Sequence, residues 1–194
     1  FPSEPVRSES QCSQGLMLTL LLHVIGRRRP LKVFEVGGGF GNMARLTQRL
    51  GLLDNWTIFG LDFVCDAQAY FLSETCPQLR INRNRYDSAS GAVNLIDQHH
   101  GNTIKQELEP ADVLIGGKGL GTLHLDAFLY HIDALLPLSG HLLYAAPAGA
   151  AALDDAQTKE GYIHKVMEPE KQLTTRDGLL DMFVFTRHLQ PETG

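Results

Sequence analysis

Apolar residues recur along this chain in two rhythms, and their alternation predicts the architecture. LKVFEV at 31–36, TIFGL at 57–61, LRIN at 79–82, ADVLIGG at 111–117 and HLLYAAP at 141–147 are short apolar runs. β-Branched and aromatic residues are frequent in them, which suits strands buried on both faces. Helical stretches separate them: 42–50, then 64–75 with Val64, Ala67, Tyr70 and Phe71 on one face, and a weaker segment at 88–99. The clearest apolar stripe is Phe128, Leu129, Ile132, Leu135 and Leu136, closed by Pro137 and Gly140. A first helix is expected over 11–27, where Arg27, Arg28 and Arg29 meet the negative pole and Pro30 ends it. Residues 148–161 read as loop with a short helix. Then the rhythm changes. IHKVM at 163–167 and DMFVFTRHL at 181–189 read as two strands, with 168–179 as a hairpin connection carrying Asp177-Gly178.

Strand and helix alternating about five times predict a mostly parallel sheet covered by helices, and the terminal hairpin adds one antiparallel strand. The expected organisation is a lead-in at 1–10, a single domain over 11–189 and a tail at 190–194. There is no internal repeat.

Composition narrows the setting. The 194 residues are 43% hydrophobic and 20% charged, an ordinary globular balance. The net charge of −5 gives no general attraction to nucleic acid, and no nucleic-acid partner is expected. The longest apolar run, LMLTLLLHVI at 16–25, falls short of the ~20 residues that span a bilayer. It lacks the flanks of a signal peptide, so no membrane partner is expected. Cys12, Cys65 and Cys76 have no metal-ligand spacing and read as reduced thiols of a cytoplasmic protein. The chain does not begin with Met and reads as a processed or excised piece of something longer.

Chemistry concentrates in VFEVGGGFGNMARL at 33–46. A strand runs into Gly37, Gly38, Gly39 and Gly41, and a helix follows. Glycines there let backbone approach a ligand, and the helix aims its N-terminus at the same point. From Gly39 the run GFGNMA fits the dinucleotide pattern G-x-G-x-x-A, with Asp62 ending the next strand to hold ribose hydroxyls. From Glu35 it reads E-x-G-x-G-x-G, which resembles motif I of the class I S-adenosylmethionine-dependent methyltransferases. An acid before the glycines opposes a pyrophosphate and suits a sulfonium and an ammonium, so the second reading is preferred. It implies a Rossmann-like three-layer α/β sandwich, with a seven-stranded sheet in the order 3-2-1-4-5-7-6.

The resemblance extends through IFGLDFVCDAQAYFLSETCP and ADVLIGGKGLGTLHLDAFLYHIDALLPLSGHLLY, over about residues 31–145. There the chain is similar to the sugar O-methyltransferase family. That similarity implies S-adenosylmethionine bound by Glu35, Gly37, Gly39 and Asp62, with Asp87 a candidate for the adenine amino group; Gly38, Gly41, Phe63 and Gly116 are further candidate cofactor contacts. It departs from the family after the fourth strand, where Gly116-Gly117-Lys118-Gly119-Leu120-Gly121-Thr122 replaces an Asn-Thr-His-Ser-like segment.

Methyl transfer needs a positioned nucleophile, and a hydroxyl acceptor benefits from a base. His124 is the candidate general base and Lys118 the candidate to polarise the acceptor, both on the loop after the fourth strand. His131 reads as a surface residue; His99 and His100 lack further ligands, and no metal is expected. The expected activity is methylation of a sugar or natural-product hydroxyl, on a small-molecule or glycan acceptor. With no lid-sized insertion, the acceptor side is open, shared with a partner chain or completed by a further domain. A non-catalytic domain serving binding or assembly is the alternative.

Overall fold

The computed structural model describes residues 17–19, 22, 30–97, 99–116, 135, 139–147, 168–174 and 180–186. The helices expected over 11–27 and 128–136 fall outside these, apart from helical backbone at 17–19, 22 and 135. The segment 148–161 is also outside.

Strand β1 is Leu31–Val36, helix α1 Asn42–Arg49, β2 Leu53–Gly60 and α2 Asp62–Thr75. Then come β3 (Arg80–Arg83), β4 (Ala92–Asp97), a short α3 (Gly101–Ile104) and β5 (Ala111–Gly116). β6 (Ser139–Pro147), β7 (Glu168–Thr174) and β8 (Leu180–Thr186) complete the described chain. The sheet runs β3-β4-β2-β1-β5-β6-β8-β7. Pairing is parallel from β3 through β6, and β8 is antiparallel to both β6 and β7. This is the Rossmann-like α/β architecture with a terminal antiparallel hairpin that the sequence predicts.

One strand is added to the expected order. Residues 88–99 do not form a helix: Ala92–Asp97 is a strand with all six residues buried, occupying the place beside β2. Gly91, at φ 78°, breaks the chain immediately before it. Val93, Leu95 and Ile96 then fill both faces of the sheet, and Asn94 is buried among hydrogen bonds. Arg80–Arg83, expected beside β2, is displaced to the outside of β4.

Three boundaries also differ. β2 begins at Leu53, because Asn55 is buried yet satisfied by the carbonyls of Asp87 and Ala89. α2 buries Cys65, Gln68 and Leu72, while Tyr70 is 72% exposed. The helix is thus turned about one residue from the face predicted on hydrophobicity, because a polar Gln68 lies on its inner side. The first hairpin strand is Glu168–Thr174, within the stretch expected to be the connection.

Side chains alternate between the two faces of the sheet, apart from a register shift between Leu31 and Lys32. Val33, Trp56, Ile58, Leu95, Val113 and Ile115 join Met43, Cys65 and Leu72 in one cluster. Phe34, Phe59, Ile96, Leu114 and Leu142 are buried on the other face, with Phe34 and Phe59 edge-to-face at 6.1 Å. Strand order steps outward from β1 to β2 to β4, then returns to β5 on the other side of β1. That reversal makes a crevice at the carboxyl ends of β1 and β5. Cys65 and Cys76 are buried free thiols, and burial pushes the Cys65 thiol up to about 11, leaving it unreactive.

Candidate functional site

The glycine loop begins where β1 ends. Gly37 N–H donates to the Phe59 carbonyl at 2.8 Å, tying the loop to the end of β2. Gly38 needs to lack a side chain: a Cβ there would lie 2.7 Å from Ile58 Cγ2, 3.2 Å from Glu35 Cδ and 3.3 Å from Gln68 Nε2. The loop is therefore pressed onto β2 and α2. Gly39 has φ 52° but open space where its Cβ would be, so the loop backbone is accessible on that side. Gly41, at φ 79°, directly precedes α1 and abuts Leu72. Gly116 ends β5 one residue past Ile115, which pairs with Glu35, so it lies beside the start of the loop.

Glu35 lies beneath this loop, 4% exposed. Trp56 Nε1 donates to its Oε2 at 2.8 Å. Burial raises the carboxyl to about 7, against the opposing effect of the Trp56 hydrogen bond. Gln68, fully buried, donates from Nε2 to the Gly39 carbonyl at 2.8 Å. Among the described residues, its Oε1 has no hydrogen-bond partner. A buried acid and a buried amide oxygen beside the loop are acceptors suited to a cationic ligand, and they do not suit a phosphate.

Asp62 is the first residue of α2 and Phe63 the next, both strongly exposed at the carboxyl edge near Gly37. The structure thus brings Glu35, Gly37, Gly38, Gly39, Gly41, Asp62, Phe63 and Gly116 to one edge of the sheet. Phe40, exposed on the loop, leans on Phe71, and Arg45 lies 5.8 Å from that ring.

Asp87 is not brought there, which corrects the placement expected from the sequence. Its carbonyl accepts from Asn55 Nδ2 and its carboxylate from Ala89 N–H. Asn55 pairs with Ala92 at the start of β4, toward the opposite end of the strands from Gly60. At ~3.3 Å per residue, the five steps from Asn55 to Gly60 put about 16 Å between those ends. The inserted strand β4 is the cause, since the loop after β3 runs back along the sheet to start it.

The acid at the carboxyl edge is instead Asp97, paired with Gly60. It is buried and accepts from the backbone N–H of His99 and His100, from His100 Nδ1 and from Asn84 Nδ2. Burial works against its charge, but these hydrogen bonds hold the carboxyl far below the usual range. Sequence reasoning missed Asp97, Asn84 and Arg83. The signal was present in AVNLID, an apolar run ending in an acid as IFGLD does, but it was read as helix. Lys118, His124 and His131 lie outside the described residues. No group of ligands able to hold a metal occurs among the described residues.

No family model matches this sequence, and no curated protein matches it. Its fold is shared with solved methyltransferase structures. Magnesium protoporphyrin IX methyltransferase from Synechocystis, with bound S-adenosylhomocysteine, superposes with TM-score 0.60 at 16% identity, over 91% of this chain and 84% of that one. A ribosomal-protein methylase from Lactobacillus delbrueckii gives 0.58 at 12% identity, over 91% and 80%. An rRNA methylase from Escherichia coli gives 0.54 at 14%, over 90% and 64%. The chain thus has the fold of these methyltransferase structures. The expectation that nucleic acid is no partner is overturned, because the same architecture is found in an rRNA methylase. Among the described residues, no helix is long and apolar enough to cross a membrane.

Proposed function

We propose that this chain is an S-adenosylmethionine-dependent methyltransferase, acting on a hydroxyl of a sugar or natural product. One observation carries the reading. A glycine loop is packed by its missing side chains onto β2 and α2, with buried Glu35 beneath it and Asp62 at its edge. Glu35 and Gln68 would face the cationic amino acid end of the cofactor, and Asp62 its ribose hydroxyls. Phe63 and Gly116 would flank it. When bound, S-adenosylmethionine supplies a methyl group on a positively charged sulfur. In this chain, Lys118 and His124 follow β5 in the sequence; His124 would take the acceptor proton and Lys118 polarise the acceptor. The altered segment Gly116–Thr122 supports a second reading, a cofactor-binding domain without turnover.

The test is calorimetric titration with S-adenosylmethionine, S-adenosylhomocysteine and NAD. Binding of the first two, weakened roughly tenfold (about 1.4 kcal/mol) by Asp62→Ala, is expected. Binding of NAD alone, or of nothing by folded protein, would refute the cofactor assignment. A labelled-methyl screen then offers glycans, phenolic natural products and RNA. Label on RNA alone would move the acceptor to nucleic acid, and no label on any would favour the second reading.

A further inference from the structure

Strand β3, displaced to the edge of the sheet by β4, delivers one side chain to the proposed cofactor edge. Arg83, last residue of β3, reaches α2. Its Nη2 donates to both the carbonyl and Oδ1 of Asp62, its Nε to Asp66 Oδ1 at 3.1 Å and its Nη1 to Asn84 Oδ1. Nη1 also lies 3.6 Å from Asp97 Oδ2. The planar guanidinium fork is thus filled by three segments: the first turn of α2, the turn after β3 and the end of β4. Asn84, at φ 52°, completes the tie by donating to Asp97 Oδ2 at 2.7 Å and accepting the Asp97 N–H.

Asp62 needs such a tie. Its side chain is 67% exposed at the start of a helix, where an unheld carboxylate would sample several rotamers. Arg83 grips the Asp62 backbone and one carboxylate oxygen together, leaving Oδ2 without a protein partner among the described residues. We propose that Arg83 is a positioning residue for the ribose-binding acid, ordering Asp62 before the cofactor arrives. This rests on the cofactor reading given above. Preorganisation of this kind strengthens binding by removing an ordering penalty, and only the arginine fork can serve four acceptors at fixed angles.

The experiment is a double-mutant cycle on S-adenosylhomocysteine affinity, using the whole chain: wild type, Arg83→Ala, Asp62→Ala and the double variant, with Arg83→Lys beside them. Arg83→Ala is expected to weaken binding roughly five- to tenfold, and Arg83→Lys less but measurably. The double variant should bind no more weakly than Asp62→Ala, because Arg83 acts through Asp62. A purely structural arginine would instead add its loss to that of Asp62→Ala. Unchanged affinity in Arg83→Ala, or multiplied losses in the double variant, overturns the proposal and leaves the cofactor reading intact. If Arg83→Ala does not fold, wild-type affinity in Arg83→Lys overturns it equally. Failure of the folded wild type to bind overturns both.

Discussion

Glu35 carries the sharpest residue-scale consequence. Its carboxyl is raised from 4.5 to about 7 by burial, so the folded state favours the protonated form. Stability from this group is complete below pH 4.5 and is lost as pH rises through about 7. The shift corresponds to about 3 kcal/mol across that window. Glu35→Gln keeps an acceptor for Trp56 and removes the titration. We expect the melting temperature of the ligand-free protein to fall from pH 5 to pH 8, and the fall to flatten in Glu35→Gln. Parallel curves for the two proteins would mean that Glu35 does not titrate in this range. A cationic ligand above the loop would favour the ionised form, so buried acid and ligand charge act together.

At the scale of elements, the decisive feature is β4. Its Asn94 is fully buried, and its Nδ2 donates to Asn55 Oδ1, Thr57 Oγ1 and the Asp87 carbonyl. Its Oδ1 accepts from Asn82 Nδ2 and the Asp87 N–H. One amide therefore joins β2, β3, β4 and the loop between β3 and β4. Asn94→Ala leaves those groups without partners in a dry interior, and we expect a loss of roughly 2–4 kcal/mol in urea unfolding. A loss under 1 kcal/mol would show that water enters and satisfies them. The same network explains why Asp87 stays far from the glycine loop: its backbone is held by Asn55 and Asn94.

For the whole molecule, the sheet's connectivity places the site. The return from β4 to β5 across β1 opens the crevice, and antiparallel β8 lies between β6 and β7, so its backbone groups have partners on both sides. Val184, paired with Leu143 on one side and Lys171 on the other, is central in that arrangement. Val184→Pro deletes an N–H that has a ladder partner, and we expect destabilisation of roughly 3 kcal/mol by chemical denaturation. A near-neutral result would mean that the hairpin contributes little to the stability of the parallel part.

The sequence by itself determined the alternation of strands and helices, the glycine loop with its flanking acids Glu35 and Asp62, and the antiparallel ending. Each is written locally: β1 as an apolar run, the loop as glycines that no other residue replaces, the hairpin as two strands without a helix between them. Tertiary structure alone decided what depends on partners distant in the chain. Whether AVNLID is helix or strand turned on a slot open beside β2, because a short apolar run fits either period. The inner face of α2 turned on Gln68 finding the Gly39 carbonyl, which hydrophobic periodicity cannot register. Arg83 took its place at the proposed cofactor edge because β4 displaced β3 outward, and a parallel ladder fixes where a strand ends only once its neighbour is known.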